Sequence, residues 1–359
     1  MKMTWRWYGE NNDSITLDHI RQIPGVEGIV WSLHDKVAGE VWEEDRIKSE
    51  VELIRSRGFN ADVVESVNVH DDIKIGLDSR DHYIDIYIDT IRKLAKYGVK
   101  VICYNFMPVF DWTRTDLYRE LPDGSNALFY EKDAIVTDPK EMAAKILKGA
   151  GNFTMPGWEP ERMAKLDELF DSYKNVDDQV LTDNLKYFLE RIIPVCEEVD
   201  IKMAIHPDDP PWPIFGLPRI IRSKEHIERF LKLVDSPYNG LTLCTGSLGP
   251  NLKNDIPDMI HSFADRIHFA HIRNVKVYDN GDFSEVSHRG KDGHVDVYEV
   301  LKAYHQNDFK GYIRPDHGRH LWGEEKECRP GYGLYDRALG AMYMTGIIDS
   351  LDKRKAEQS

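Results

Sequence analysis

The chain has 359 residues, 41% of them apolar and 30% charged, with a formal net charge of −15. This composition supports a sizeable core and excludes a disordered chain, while the acidic balance disfavours nonspecific contact with nucleic acid or anionic membranes. No apolar run approaches the roughly 18 residues that span a bilayer, and the opening MKMTWRWYGEN lacks the apolar centre of a signal peptide, so the expected location is the cytoplasm.

Short β-rich runs alternate with helical patterns along the sequence. A strand is expected over Met3–Tyr8 and another over Gly28–Leu33, followed by an amphipathic helix over Trp42–Arg57. A third strand, Ala61–Ser66, leads to a helix over His82–Tyr97 with Ile84, Ile88, Ile91 and Leu94 on one stripe. Gly58 and Gly98 stand where left-handed helix caps are expected. The fourth strand is Val99–Phe106. The remaining expected strands are Lys202–Pro207, Gly240–Thr245, Ile267–Ile272 and Gly311–Asp316, and the remaining expected helices are Leu185–Val199, Lys224–Val234, Asp255–Ala264, Val295–His305 and Leu334–Leu351. Runs such as VKVICYNF and IHFAHI are nearly continuous in apolar character, as parallel strands covered on both faces are. Eight strands alternating with helices predict a (β/α)8 TIM barrel. A doubly wound open sheet is the competitor, but no GxGxxG opens a first βα turn.

One segment breaks the rhythm. Residues 109–184, after the fourth strand, carry DWTRTDL, ELPDGSNALFYE and GNFTMPGWEP. An excursion this long is usually functional or inserted. Its aromatic residues, Trp112, Tyr118, Phe129, Tyr130, Phe153 and Trp158, predict a packed lid at the C-terminal mouth of a single-domain barrel. The four cysteines, Cys103, Cys196, Cys244 and Cys328, are scattered without a CxxC pair and read as buried thiols or a metal ligand rather than disulfides.

The last four strand ends carry chemistry. They place His206 (MAIHPDDPPWP), Cys244 (LTLCTGS), His271 (IHFAHIRN) and Asp316 (YIRPDHGRH) after runs of apolar strand. Taken singly, such residues are more often buried or locally satisfied. Four adjacent strands with one pattern converge on the mouth of a parallel barrel and predict a shared metal site. Softness favours Zn²⁺ or Fe²⁺, whereas a carboxylate with open coordination positions suits Mn²⁺ or Fe²⁺. His317 follows Asp316 directly; if Asp316 faces the ion, His317 projects beside it, free for proton transfer, the alternative being a supporting or surface histidine. Tyr332 stands between two glycines in RPGYGLYD, on the last βα loop. Arg273 is suited either to an anionic group or to a structural salt bridge. Asn105 and His34 join it as candidates for holding substrate.

With these residues in view, the chain resembles the mannonate dehydratases of the metal-dependent, xylose-isomerase-like barrel type. The resemblance covers nearly the whole length: WRWYG, VVES, YNFMPVFDWTRTDL, HPDDPPWPIFGLPRI, LCTGSLG, HIRN and RPDHGR followed by PGYG. It implies elimination of water from D-mannonate to give 2-keto-3-deoxy-D-gluconate in hexuronate catabolism. It implies Mn²⁺, with Fe²⁺ also used, on His206, Cys244, His271 and Asp316. It points to His317 and Tyr332 as the acid–base pair and to a homo-oligomer, a dimer favoured. In the expected chemistry His317 takes the C2 proton and Tyr332 helps the C3 hydroxyl leave, the reverse assignment staying open. The rival readings are a sugar isomerase or epimerase, for which only Asp316 and Glu65 are placed as carboxylates, a phosphodiester endonuclease, and a non-catalytic sugar-acid binder.

Overall fold

A computed structural model describes residues 1–136, 139–150 and 160–358. Phe153 and Trp158, expected among the lid aromatics, lie outside them.

The described residues form twelve strands: β1 (Lys2–Arg6), β2 (Gly28–Trp31), β3 (Asn60–Glu65), β4 (Val101–Tyr104), β5 (Asp116–Glu120), β6 (Asn126–Tyr130), β7 (Lys202–Ile205), β8 (Asn239–Cys244), β9 (Ile267–Ile272), β10 (Asn274–Val277), β11 (Phe283–Val286) and β12 (Tyr312–Pro315). Eight of them close into a parallel barrel in the order β1-β12-β9-β8-β7-β4-β3-β2. These are the eight expected strands, most of them shorter than their apolar runs. Val99 and Phe106, at the ends of the fourth run, are buried beyond β4 and pack in the core outside the ladder.

Burial on both faces explains the apolar runs. A small cluster of Val30, Val63, Val101, Cys103, Ala204, Phe269 and Tyr312 fills the barrel interior, and a larger core lies between the strands and the surrounding helices. The outer helices form where the periodicity places them. In the helix Arg80–Lys96, Ile84, Tyr87, Ile91 and Leu94 are buried, Tyr87 taking the inner position expected of Ile88. The helix expected from Leu185 begins at Asp178 instead, because Asp177 caps it by accepting from the Val180 N–H at 2.8 Å. Residues 178–184 therefore belong to a barrel helix rather than to the excursion.

The excursion is not one loop. β5 and β6 form a hairpin whose turn contains Gly124 at φ +81°. β10 and β11 form a second hairpin, after β9, with Gly281 at φ +90°. β6 pairs with β11, so the two hairpins join in a four-stranded antiparallel sheet of order β10-β11-β6-β5. This sheet was not expected from the sequence. Among the described residues no helix is long and apolar enough to cross a membrane.

Candidate metal and acid–base site

Strand pleat decides what the barrel presents at its C-terminal end. Side chains two residues apart share a face. Ala204, Phe269 and Tyr312 point into the barrel, so His206 and His271 follow on the same side, and Arg314 and Asp316 rise in sequence above Tyr312. The polar end of GYIRPDHGRH is thus the upper layer of the barrel interior.

Three of the four expected metal ligands gather. One donor atom each from His206, Cys244 and His271 lies within 4.8 Å of the other two. Asp316 stands beside them, its Oδ2 3.4 Å from Cys244 Sγ and its Oδ1 3.9 Å from His271 Nδ1. Ser247 Oγ donates to the same sulfur at 3.1 Å. His271 is fully buried, and its Nε2 faces Glu65 Oε2 at 3.3 Å without a well-directed hydrogen bond. Two imidazoles, a thiol and a carboxylate around one point fit a divalent ion better than they fit one another. A second trio, Glu65, Cys103 and His271, also brings donors within 4.8 Å, but there Glu65 already faces Arg6 at 3.4 Å and Arg314 at 3.0 Å.

A buried ionic lattice supports this layer. Arg314 Nη1 meets Asp316 Oδ1 at 2.7 Å, while its other nitrogens hold Glu65. Arg273 Nε donates to Asp316 Oδ2 at 2.8 Å, Nη2 to Asp209 Oδ2 at 2.6 Å and Nη1 to Glu285 Oε1 at 3.2 Å. Arg114 grips Asp209 with two nitrogens, at 2.7 and 3.0 Å, and reaches Glu285 at 3.3 Å. Four guanidinium groups, with Arg6, thus face the four carboxylates of Glu65, Asp209, Glu285 and Asp316. Burial works to raise the Asp316 carboxyl, but His317, Arg314, His271 and Arg273 outweigh it and hold it well below the usual carboxylate range. Glu285 follows the same logic: burial raises it, and His317, Arg273 and Arg114 bring it down.

Beside this lattice lies a cavity of about 780 Å³, within the size range of small-ligand sites. His206, Asp316, His317 and Tyr332 all line it. His317 Nδ1 is 2.5 Å from Glu285 Oε1, and its ring centroid is 5.6 Å from that of Tyr332. The Tyr332 ring packs edge-on against Tyr8 at 5.1 Å. Burial, with Tyr8 and Asp316 nearby, pushes its phenol well above the usual value, so it carries its proton at neutral pH.

Asn105 and His34 also line the cavity. Asn105 donates to Asp111 Oδ2 at 3.2 Å. His34 Nε2 is buried without a hydrogen bond, and burial together with Arg6 and Arg329 keeps its imidazole neutral. Arg273 does not reach the cavity wall; of its two expected roles it has the structural one. Arg6, which does line the wall and has an unpartnered Nε, was missed from the sequence, as were Glu285, Asp209 and Arg114. For Asp209 a signal existed in HPDDPP. For Glu285, in the middle of FSEV, nothing local marks the side chain as buried.

The family model for D-mannonate dehydratase (UxuA) matches residues 1–358. A mannonate dehydratase of Shouchella clausii is 60% identical over 361 residues, covering 100% of both chains, and mannonate dehydratase 1 of Bacillus licheniformis is 62% identical over 360 residues, covering 100% of this chain and 98% of its own. The crystal structure of mannonate dehydratase from Streptococcus suis serotype2 superposes with a TM-score of 0.89 at 42% identity, covering 99% of this chain and 96% of that one. A xylose isomerase domain protein from Planctomyces limnophilus, at 10% identity and a TM-score of 0.57, shares the fold over 98% of this chain and 99% of its own. A whole-length family match, relatives at this identity and a barrel mouth built of these donors agree: the chain belongs to the D-mannonate dehydratase family and is a hydro-lyase.

Proposed function

We propose that this site removes the C2 proton and the C3 hydroxyl of D-mannonate, yielding 2-keto-3-deoxy-D-gluconate, with His206, Cys244, His271 and Asp316 holding Mn²⁺ or, alternatively, Fe²⁺. The observation that carries the reading is that His206 of the donor trio, the adjacent Asp316, His317 and Tyr332 all line one cavity, with Cys244 and His271 buried just behind its wall. When bound, the ion supplies Lewis-acid stabilisation for the negative charge that grows beside the substrate carboxylate.

The protein's own groups do the rest. Glu285 Oε1 faces Nδ1 of His317 at 2.5 Å, which assigns the other ring nitrogen, Nε2, 3.7 Å from Asp316 Oδ2, to the C2 proton. Tyr332, protonated and facing the same cavity, delivers a proton to the departing C3 hydroxyl. His34 and Asn105 meet the polyol, and Arg6 takes the anion-holding place first considered for Arg273. The buried lattice is balanced in itself. A dication with a Cys244 thiolate would add one net positive charge, which a monoanionic sugar acid neutralises. The excursion acts as a cover: Asp111 and Trp112 line the cavity, and the Trp112 ring lies 6.5 Å from His317. Four free, buried cysteines suit a reducing cytoplasm. A homodimer is part of the reading, with the exposed Trp322, Tyr335, Leu339 and Met342 available for a contact.

The test is turnover of D-mannonate by metal-stripped protein with Mn²⁺ added back, following the 2-keto acid. Product only with metal supports the reading. A fully metallated protein that leaves D-mannonate unchanged but interconverts aldoses and ketoses would replace it with an isomerase.

A further inference from the structure

The second histidine of GYIRPDHGRH has no part in the chemistry above, yet it is 1% exposed and does not line the cavity. Its backbone pairs with Asn126 of β6: the His320 N–H donates to the Asn126 carbonyl at 2.8 Å, and the Asn126 N–H returns a bond at 3.3 Å. The side chains then continue the pairing. His320 Nδ1 lies 2.6 Å from Asn126 Oδ1. A carboxamide oxygen only accepts, so Nδ1 carries the ring proton. The lone pair on Nε2 is left to accept from the Gly331 N–H, at 2.7 Å.

Gly331 is the residue before Tyr332. Its carbonyl accepts from the Gly318 N–H at 2.8 Å, so both faces of its peptide environment are tied to the loop that carries Asp316 and His317. It sits at φ +77°, and a Cβ there would stand 2.9 Å from Leu128 and 3.0 Å from the His317 Cβ. The turn is therefore pressed between β6 and His317, with little slack. Burial pushes the His320 imidazole down to about 4, which keeps Nε2 available as an acceptor at neutral pH.

We propose that His320 is a positioning residue for the dehydration: through Gly331 it sets where the Tyr332 phenol stands relative to His317, using β6 of the small sheet as its anchor. This rests on the reading of Tyr332 as proton donor. It also assigns the small sheet a task, since the sheet supplies the fixed point against which the catalytic turn is held. Misplacement of a reacting group by about 1 Å costs on the order of 100-fold in rate.

The test compares His320→Leu, His320→Gln, Tyr332→Phe and the double variant H320L/Y332F, measuring kcat, KM and bound metal. H320L is expected to lose roughly 30- to 100-fold in kcat, with KM within about threefold and metal content unchanged. H320Q, which retains an acceptor near the Nε2 position, is expected to recover about tenfold of that loss. The double variant should fall no more than about threefold below Y332F alone, because His320 acts through Tyr332. Full additivity of the two losses, or a wild-type kcat in H320L, overturns the proposal. Normal turnover in Y332F would instead remove the reading of Tyr332, and this inference with it. Where H320L does not fold, Asn126→Ala serves: it frees the ring tautomer and is expected to lower kcat roughly five- to tenfold, and a wild-type kcat there also overturns the proposal.

Discussion

Replacing Glu285 by Gln tests the ionic lattice and the base together. The change keeps the size of the side chain and removes one charge from a fully buried position. Glu285 Oε1 lies 3.2 Å from Arg273 Nη1 and 3.3 Å from Arg114 Nη2. At an effective dielectric of about 20, each contact represents roughly 5 kcal/mol of gross Coulomb attraction. Much of that is offset by desolvation, so the pair has little net value against an apolar replacement. Breaking it from one side is different, because the buried lattice then holds four guanidinium groups against three carboxylates, with Arg114 and Arg273 sharing Asp209, and one-sided changes of this kind cost up to about 3–5 kcal/mol. Urea denaturation followed by tryptophan fluorescence should show a loss of that order. A second variant separates charge from packing: in E285Q/R114M one charge of each sign is gone, and stability should return by more than the sum of the single effects predicts. Turnover should fall as well, by about 100-fold or more, because a carboxamide can donate to His317 Nδ1 and move the ring proton to Nε2, the wrong tautomer for a base. An E285Q protein with wild-type stability and wild-type kcat would refute both arguments. Lost stability with intact kcat would retain the lattice and discard the role assigned to Glu285 beside His317.

Other outcomes follow from the same geometry. Tyr332→Phe should lower kcat by about 100-fold or more with bound metal unchanged by elemental analysis. On the proposed metal site, Cys244→Ala removes one potential donor of the trio and should lower Mn²⁺ affinity steeply, read by titration of the stripped protein, while the barrel's circular dichroism stays the same. His268, buried on β9, has its imidazole pushed by burial down to about 3. The unfolded chain therefore takes up a proton below about pH 6.5 that the folded chain refuses, and stability that is intact above that pH is lost as pH falls toward 3. Between pH 7 and pH 5 this amounts to about 2 kcal/mol. His268→Gln should flatten that part of the stability profile, and an unchanged slope in the variant would contradict it.

Much of the barrel was legible because its strands are buried on both faces and so read as unbroken apolar runs, separated by helices of regular period. The site was partly legible for a related reason: a parallel barrel delivers the C-terminal end of each strand to one mouth, so His206, Cys244, His271 and Asp316 could be expected together from the sequence. Both hairpins of the small sheet also had a local signal, Asp-Gly at 123–124 and Asn-Gly at 280–281. What had no local signal was their partnership. β6 and β11 are about 150 residues apart, and only the closed barrel brings the segment after β4 next to the segment after β9.

The sequence by itself determined the barrel, the metal-capable strand ends and the position of Tyr332 on a glycine-flanked turn, since each follows from periodicity or chemistry within a few residues. Tertiary structure alone decided which charges are sealed in. Arg273 turns away from the cavity to serve Asp316, Asp209 and Glu285, Arg6 takes its place at the wall, and Glu285 leaves an unremarkable hairpin to meet His317. Those assignments depend on which distant groups share a low-dielectric volume and must balance one another there, a property of the assembled fold rather than of any stretch of chain.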